Sequence, residues 1–590
     1  MNRTTAVKPA SLTELASGQF LAGVLLLLGS LTFYYFAVLR IDYKKTTLLD
    51  LGPYPDATEY FAQAQALSRD GWPSIQIGYE RLPSRYPCGY PVLMLPWLKI
   101  LPKPDAVLAP FRTSQTMGLA LLLAVFVFYA YLAMPLTGGF AVLLLATLPG
   151  FFTFCRSSLS EVSASLLVVL AFMFGYLGVK QERRWKIYLS AFLLGLSLNV
   201  RLQSLFFAPS LLAMALLPMR GGRLRWFFHC VAALLVFVLA ASPMLILNTI
   251  QFHSPFKTGY DLWVSYFSRH HLLFCLRYIP KNVLIFWREA TLQPRGYDAA
   301  NIFGTGTSFV PPFVFLICAG LLFIRLSWFV CCAFVAGLGS FLATLCYRFG
   351  GDVRFYLPLL ILLIAVAVLP VTWAAKHLFA GKRIVIALNV FILFAAACLG
   401  FPSRSGYNTR GVDRSQTWDA LHFTIPPSQS IQFVAQRDFA RLLKRQPGIV
   451  LSDIDPVFLN ALLPRSFVAA PVDGNHNYKW SYTWRYDRPQ ALALVEHGLQ
   501  QSLPIYALFT SGDEAATKQS RLPNVPEYEW RVLDDPKANA VILKLTPIGS
   551  DGMAAVPECC ASNFFCNTAR LQLESCKKLF EPLYSQACFY

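Results

Sequence analysis

Charge is scarce in this sequence. Asp, Glu, Lys and Arg make up 14% of 590 residues, against roughly a quarter in an ordinary soluble domain, and that shortage excludes a soluble globular protein. Acidic residues are the scarcer sign, 32 against 51 Lys and Arg. The resulting charge of +19 sits largely in short loops between apolar runs. No nucleic-acid motif interrupts those runs, so anionic lipid headgroups or an anionic substrate are the expected partners, and nucleic acid is not. The part of the chain past Phe401 lacks a glycine-rich phosphate loop, which argues against a nucleotide site there. Histidine is absent beyond His497, so a zinc site near the C-terminus would need cysteines alone.

What is abundant is apolar: 55% hydrophobic residues and a mean hydropathy of +0.48. Runs of roughly 17–25 apolar residues read as membrane-spanning helices. They lie near 18–39, 107–133, 138–154, 158–180, 186–200, 202–219, 226–249, 311–325, 327–346, 355–375 and 384–401, about eleven in all. The first is too long for a signal-peptide core and lacks a small-residue cleavage site, so it reads as a retained anchor.

Charge placement orients the spans. With the N-terminus inside, the inner loops carry Lys180, Arg183, Arg184 and Lys186, then Arg220, Arg223 and Arg225, then Lys376, Lys382 and Arg383, as the positive-inside rule expects. Five segments then share the outer face: the loop holding Asp56, the turn from Arg156 to Glu161, Asn199 to Gln203, the loop from Ile250 to Val310, and the turn from Tyr347 to Tyr356. Ionisable residues beside spans are costly to desolvate and usually mark a site, so one active site built from these segments is expected.

The expected organisation is a polytopic α-helical transmembrane domain over 1–401 with outer loops 40–106 and 250–310. An extracytoplasmic α/β domain follows over 402–550, where strand-like runs such as GIVLS and PIYALFT alternate with helical ones, a pattern of partly parallel sheets. The last segment, 551–590, holds Cys559, Cys560, Cys566, Cys576 and Cys588. In an oxidising compartment it reads as a disulfide-stapled tail, with a cysteine-only zinc site as the rival.

Asp56 opens an amphipathic helix pattern, and with Glu59 three residues on it fits a capping box. At a low-dielectric boundary the same carboxylate suits a general base. Arg81 and Arg85 lie four apart, ahead of Tyr86-Pro87-Cys88-Gly89-Tyr90-Pro91. Their planar forks suit phosphate oxygens, and snorkelling to lipid headgroups is the plain alternative. Glu161, behind Ser158, reads first as another cap and second as a pocket residue. Arg201, between Asn199 and Gln203, needs an anionic partner where two spans meet. His253, Lys257 and Tyr260 follow a span directly and are placed to line a pocket. Arg354 has a phosphate or the nearby Asp352 as its counter-ion. His270 and His271 are adjacent and cannot easily ligate one ion together, so no metal site is expected.

The segments PDATEYFAQAQAL, SRYPCGYPVLMLP, LSE, GLSLNVRLQSLFFAPSLL, NTIQFHSPFKTGY and DVRFYLPLL follow one another over roughly residues 15–400. Together they resemble the polyprenyl-phosphate-sugar-dependent glycosyltransferases of the GT-C superfamily, in particular bacterial relatives of protein mannosyltransferases and of the aminoarabinose transferase ArnT. The resemblance implies an inverting transfer of a sugar from a polyprenyl-phosphate carrier to a glycan, lipid or protein acceptor. The reaction would take place on the outer face of a membrane, expected to be the bacterial inner membrane. Asp56, with Glu59 beside it, would act as base or acceptor binder. Arg81, Arg85, Tyr86, Arg201, Lys257 and Arg354 would hold the donor and its phosphate, with Glu161, His253 and Tyr260 as acceptor or pocket residues. No cofactor is implied, and metal dependence stays open. Protein mannosyltransferases carry adjacent Asp-Glu in this loop, whereas the two carboxylates here are Asp56 and Glu59. Two other readings compete: a lipid-linked substrate transporter or flippase, which would show the repeats and mid-membrane charges this sequence lacks, and a non-enzymatic anchor presenting the α/β domain.

Overall fold

In chain order the helices are α1 (Gly18–Tyr34), α2 (Asp56–Asp70), α3 (Gly89–Ile100), α4 (Ala109–Tyr131), α5 (Pro135–Thr147), α6 (Pro149–Cys155), α7 (Glu161–Lys180) and α8 (Arg184–Val200). They continue with α9 (Arg223–Phe252), α10 (Gly259–Trp263), α11 (Ile279–Ala290), α12 (Pro311–Leu321), α13 (Trp328–Cys346), α14 (Leu357–Ala367), α15 (Pro456–Leu462) and α16 (Arg488–Gln500). The strands are β1 (Ile75–Ile77), β2 (Glu80–Leu82), β3 (Gly448–Ser452), β4 (Phe467–Pro471), β5 (Ile505–Thr510), β6 (Tyr528–Val532) and β7 (Ala540–Pro547).

This computed structural model describes residues 18–40, 56–209, 223–263, 272–290, 311–323, 328–348, 350, 353–370, 372–373, 447–453, 456–463, 466–472, 488–510, 520–533 and 540–548. The span expected at 384–401, the His270-His271 pair and the cysteine-rich tail lie outside them. The chain forms two units: Met1–Ala57, Pro87–Lys257 and Ser265–Ser428 make one, and Thr58–Tyr86, Thr258–Val264 and Gln429–Tyr590 the other.

The first unit is a helical membrane protein. Among the described residues four helices are long and apolar enough to cross a bilayer, Gly18–Leu39, Ala106–Tyr131, Glu161–Lys180 and Phe227–Phe252. Shorter apolar helices cover Pro135–Thr147, Gly337–Cys346 and Arg354–Ala367. The stretch 138–154, expected as one span, is instead broken between α5 and α6. Leu148 is extended (φ −68°, ψ 116°), the conformation favoured for a residue that precedes a proline in sequence. The stretch 202–219 likewise starts as a tight 3-10 turn, Leu202–Phe207, after an extended Arg201.

Helices inside a bilayer gain little from expelling water and associate by close backbone packing. A Cβ on Gly139 would stand 2.7 Å from the Gly23 carbonyl oxygen, and one on Gly23 would stand 2.4 Å from that of Pro135. That approach fixes α1 against α5. Buried hydroxyls fix the turn ahead of α7: the Tyr90 hydroxyl donates to the Pro110 carbonyl (2.9 Å) and meets the Ser114 hydroxyl (2.8 Å), which donates to the Leu159 carbonyl (3.0 Å).

The second unit is built on a five-stranded sheet in the order β4-β3-β5-β7-β6. β4, β3 and β5 are parallel, and β7 and β6 join antiparallel. Parallel neighbours need a crossover, which α15 supplies between β3 and β4. β3 reads GIVLS and is buried throughout, as a central strand covered on both faces must be. Ala491, Leu494 and Val495 of α16 pack with Ile449, Leu451, Ile505, Ala507 and Leu543.

Residues 58–86, expected as part of a loop of the membrane domain, belong to this unit. β1 and β2 form an antiparallel hairpin with Ile75 opposite Leu82. The Gly78 N–H donates to the Ala469 carbonyl (2.9 Å), and the Asn460 amide donates to the carbonyls of Gln76 (3.0 Å) and Ala469 (2.8 Å). The Arg69 guanidinium adds a bond to the Ala461 carbonyl at 2.8 Å.

Candidate active site

Four of the sequence-selected ionisable residues meet in the first unit. α2 begins at Asp56, and its carboxylate accepts a hydrogen bond from Arg354 Nη1 at 3.1 Å, across 298 residues of sequence. The expected partner, Asp352, lies outside the described residues. Glu161, the first residue of α7, holds its Oε1 2.8 Å from Arg201 Nη1. Arg201 also donates to Ser160 Oγ (3.2 Å) and to Gln203 Oε1 (2.6 Å). The Glu161 contact is an ion pair rather than an aligned hydrogen bond: among the described residues neither Glu161 oxygen meets hydrogen-bond geometry with a donor. The capping reading of Glu161 does not hold, since Ser160 is the N-cap and makes no side-chain cap bond.

A ring joins the two pairs. The guanidinium carbon of Arg201 lies 5.3 Å from the centroid of Phe355, and that of Arg354 lies 4.8 Å from the same centroid. Tyr347 meets this ring edge-on at 5.6 Å. Burial pushes the Tyr347 phenol up to about 12; Arg354 pulls it down, Asp56 pushes it up and Arg201 pulls it down. It is therefore a neutral hydrogen-bond donor at neutral pH.

Residues 273–282 hold Tyr347 from behind. The Cys275 N–H donates to the Cys346 carbonyl (2.8 Å), and the Arg348 N–H donates to the Leu273 carbonyl (2.9 Å). The buried Asn282 amide donates to the Leu345 and Tyr347 carbonyls at 2.8 and 2.7 Å. All five segments assigned to one face by charge thus contribute backbone or side chains to this group.

Five other expected residues have partners within the second unit. Glu59, one turn after Asp56 on α2, is wholly buried with Arg85 in the second unit. Its Oε1 accepts from Arg85 Nε (2.7 Å) and Nη2 (2.5 Å), and its Oε2 accepts from the Ser84 hydroxyl (2.8 Å) and the Arg85 N–H (3.1 Å). Those bonds replace the expected capping box. Arg81 pairs with Asp70 at 3.1 Å. Tyr86 packs between Tyr60, at 4.9 Å between centroids, and Tyr260, edge-on at 5.6 Å. His253 and Lys257 are exposed after α9, His253 with a left-handed φ of 55°.

Sequence reasoning missed Tyr347 and Phe355, and both were within view. The run Val353-Arg354-Phe355-Tyr356 puts an aromatic next to a boundary arginine, where cation–π stacking is the usual result.

Chemically, two planar cations are presented from one ring, each beside a carboxylate. Guanidinium forks bind phosphate oxygens with two parallel bonds. A carboxylate 3.1 Å from one of them can take a proton from a hydroxyl brought up to that phosphate. Among the described residues no group of three or more His, Cys, Asp or Glu is placed to hold a metal ion.

No family model matches the sequence, and no curated protein does. Solved structures do match. The crystal structure of ArnT from Cupriavidus metallidurans bound to undecaprenyl phosphate aligns at TM-score 0.54 and 12% identity, over 88% of this chain and 97% of that one. The same enzyme in its apo state aligns at 0.50, with the same identity and coverage. The apo oligosaccharyltransferase of Archaeoglobus fulgidus is more distant, at 0.44 and 12% identity over 90% of this chain and 75% of that one. The likeness is one of fold: the chain shares the fold of ArnT.

Proposed function

We propose that this protein is a membrane glycosyltransferase that moves a sugar from a polyprenyl-phosphate carrier to an acceptor hydroxyl of a glycan, lipid or protein. The reading rests above all on one observation: Arg354 shares Phe355 with Arg201 and hydrogen-bonds Asp56. ArnT, whose fold the chain shares, has been solved with undecaprenyl phosphate bound, which supports a carrier of the same chemistry here.

Arg201 and Arg354 hold the carrier phosphate, with the neutral Tyr347 hydroxyl as a further donor. The acceptor hydroxyl lies against Asp56. Its oxygen forms a bond to the anomeric carbon from the side opposite the phosphate, and its proton passes to the Asp56 carboxylate. The bond from the anomeric carbon to the phosphate oxygen breaks, the electron pair stays on the polyprenyl phosphate, and the sugar inverts. The leaving group is already a phosphate, so alignment and charge stabilisation suffice for catalysis. The site faces the outer side of the membrane in this reading.

The test uses the full-length protein in membranes with a panel of radiolabelled polyprenyl-phosphate sugars. Release of carrier phosphate with transfer of label from at least one donor is the expected result. Intact donor across the whole panel overturns the proposal.

A further inference from the structure

α9 carries Pro243 in its interior. A proline lacks the N–H that would bond four residues back, and its ring pushes that carbonyl away. The carbonyl concerned is that of Leu239, and it accepts from the Ser242 hydroxyl instead, at 2.8 Å. The next rung, Ala240 carbonyl to Met244 N–H, is spanned by a side chain from another helix. Asn199 Nδ2 donates to the Ala240 carbonyl at 2.8 Å, and Asn199 Oδ1 accepts from the Met244 N–H at 2.9 Å. One amide thus meets both groups that an unbroken helix would pair with each other. In a bilayer such groups have no water to turn to, and a side chain that satisfies both is strongly held.

Asn199 is the penultimate residue of α8, two before Arg201, and Arg201 is extended with its N–H bonded to the Ser197 carbonyl at 2.8 Å. The place at which the backbone leaves α8 is therefore tied to the turn of α9 around Pro243. That exit sets where the Arg201 guanidinium meets Glu161 and Phe355.

We infer that Asn199 is a positioning residue for phosphate binding: its amide splints the Pro243 break and by that bond holds Arg201 in the site. This rests on the glycosyltransferase reading for its functional half, and on distances alone for its structural half. Asn199 then acts on carrier affinity only through Arg201, and only while Pro243 interrupts the helix it braces. Removing the proline gives back the N–H that bonds the Leu239 carbonyl, lets the helix close over Ala240 and Met244, and makes the amide dispensable.

The experiment is a double-variant cycle on the full-length protein in nanodiscs: wild type, Asn199→Ala, Pro243→Ala and the pair. Undecaprenyl phosphate affinity is measured by titration, and amide hydrogen exchange is followed in peptides covering 199–203 and 240–244. Asn199→Ala removes a partner from two buried backbone groups, and we expect affinity to fall about tenfold, with exchange faster in both peptides. Pro243→Ala alone should bind within about twofold of wild type, and the pair should regain most of the affinity and protection lost in Asn199→Ala. A pair as weak as Asn199→Ala, or Asn199→Ala indistinguishable from wild type by both readouts, overturns the inference. Wild-type protein that binds no carrier overturns the glycosyltransferase reading, and the exchange data then still decide on the splint.

Discussion

Arg201 and Arg354 lie over one aromatic ring, that of Phe355, at 5.3 and 4.8 Å from its centroid. Two cations this close at the edge of a low-dielectric region would repel, and the site meets that problem with a carboxylate for each: Glu161 for Arg201 and Asp56 for Arg354. The four formal charges cancel. A bound phosphate changes that balance locally, and Asp56 sits where the change is felt.

Phe355→Leu tests the shared ring. Leucine keeps the bulk apolar and removes the π-face, which contributes about 0.5–2 kcal/mol per stacked cation. Undecaprenyl phosphate affinity should fall by about tenfold, with little change in thermal stability. Wild-type affinity in this variant would mean the ring is packing only.

Asp56→Asn separates chemistry from binding. The amide still accepts from Arg354 but cannot take a proton at neutral pH, so turnover should drop by about 10²–10⁴-fold, the usual weight of a general base. Carrier binding should change little. Full activity of this variant in membranes ends the base assignment.

Glu59→Gln should behave in the opposite way. Both Glu59 oxygens are engaged by Arg85 and Ser84 in a fully buried site, so the carboxylate has no lone pair aimed at a substrate. Removing one partner of a buried ion pair costs about 3–5 kcal/mol, and the loss should appear as a lower thermal unfolding midpoint. Turnover per folded molecule should hold. An unchanged midpoint with lost turnover would make Glu59 catalytic after all.

The contrast between these carboxylates also shows where sequence reading reaches its limit. Positive loops and apolar runs bring Asp56, Glu161, Arg201 and Arg354 to one face, because topology follows from short-range composition. Partners do not. Among the described residues Arg354 pairs with Asp56, 298 residues away in sequence and supplied by tertiary packing. Glu59 follows Asp56 by three residues and looks like its cap, while its actual partner is set by the fold of 84–86. The hairpin of β1 and β2 was unreadable for a simpler reason: three residues per strand are too few to show alternation. Strands such as GIVLS, longer and uniformly apolar, stand out at once.

Gly89→Ala probes the floor under Arg201. A Cβ at position 89 would stand 2.3 Å from the Asn199 carbonyl oxygen and 2.8 Å from the Val200 nitrogen. Both are backbone atoms at the end of α8, so no side chain can swing aside to relieve the overlap. Either α3 or the end of α8 must move, and overpacking of this kind costs about 1–3 kcal/mol. The Tyr90 hydroxyl is bonded to Pro110 and Ser114, which holds the start of α3 in place and directs the displacement to Asn199 and Arg201. Gly89→Ala should therefore weaken carrier binding and lower the unfolding midpoint together, unlike Phe355→Leu, which should weaken binding alone. If Gly89→Ala binds undecaprenyl phosphate as wild type does, the end of α8 does not set the place of Arg201.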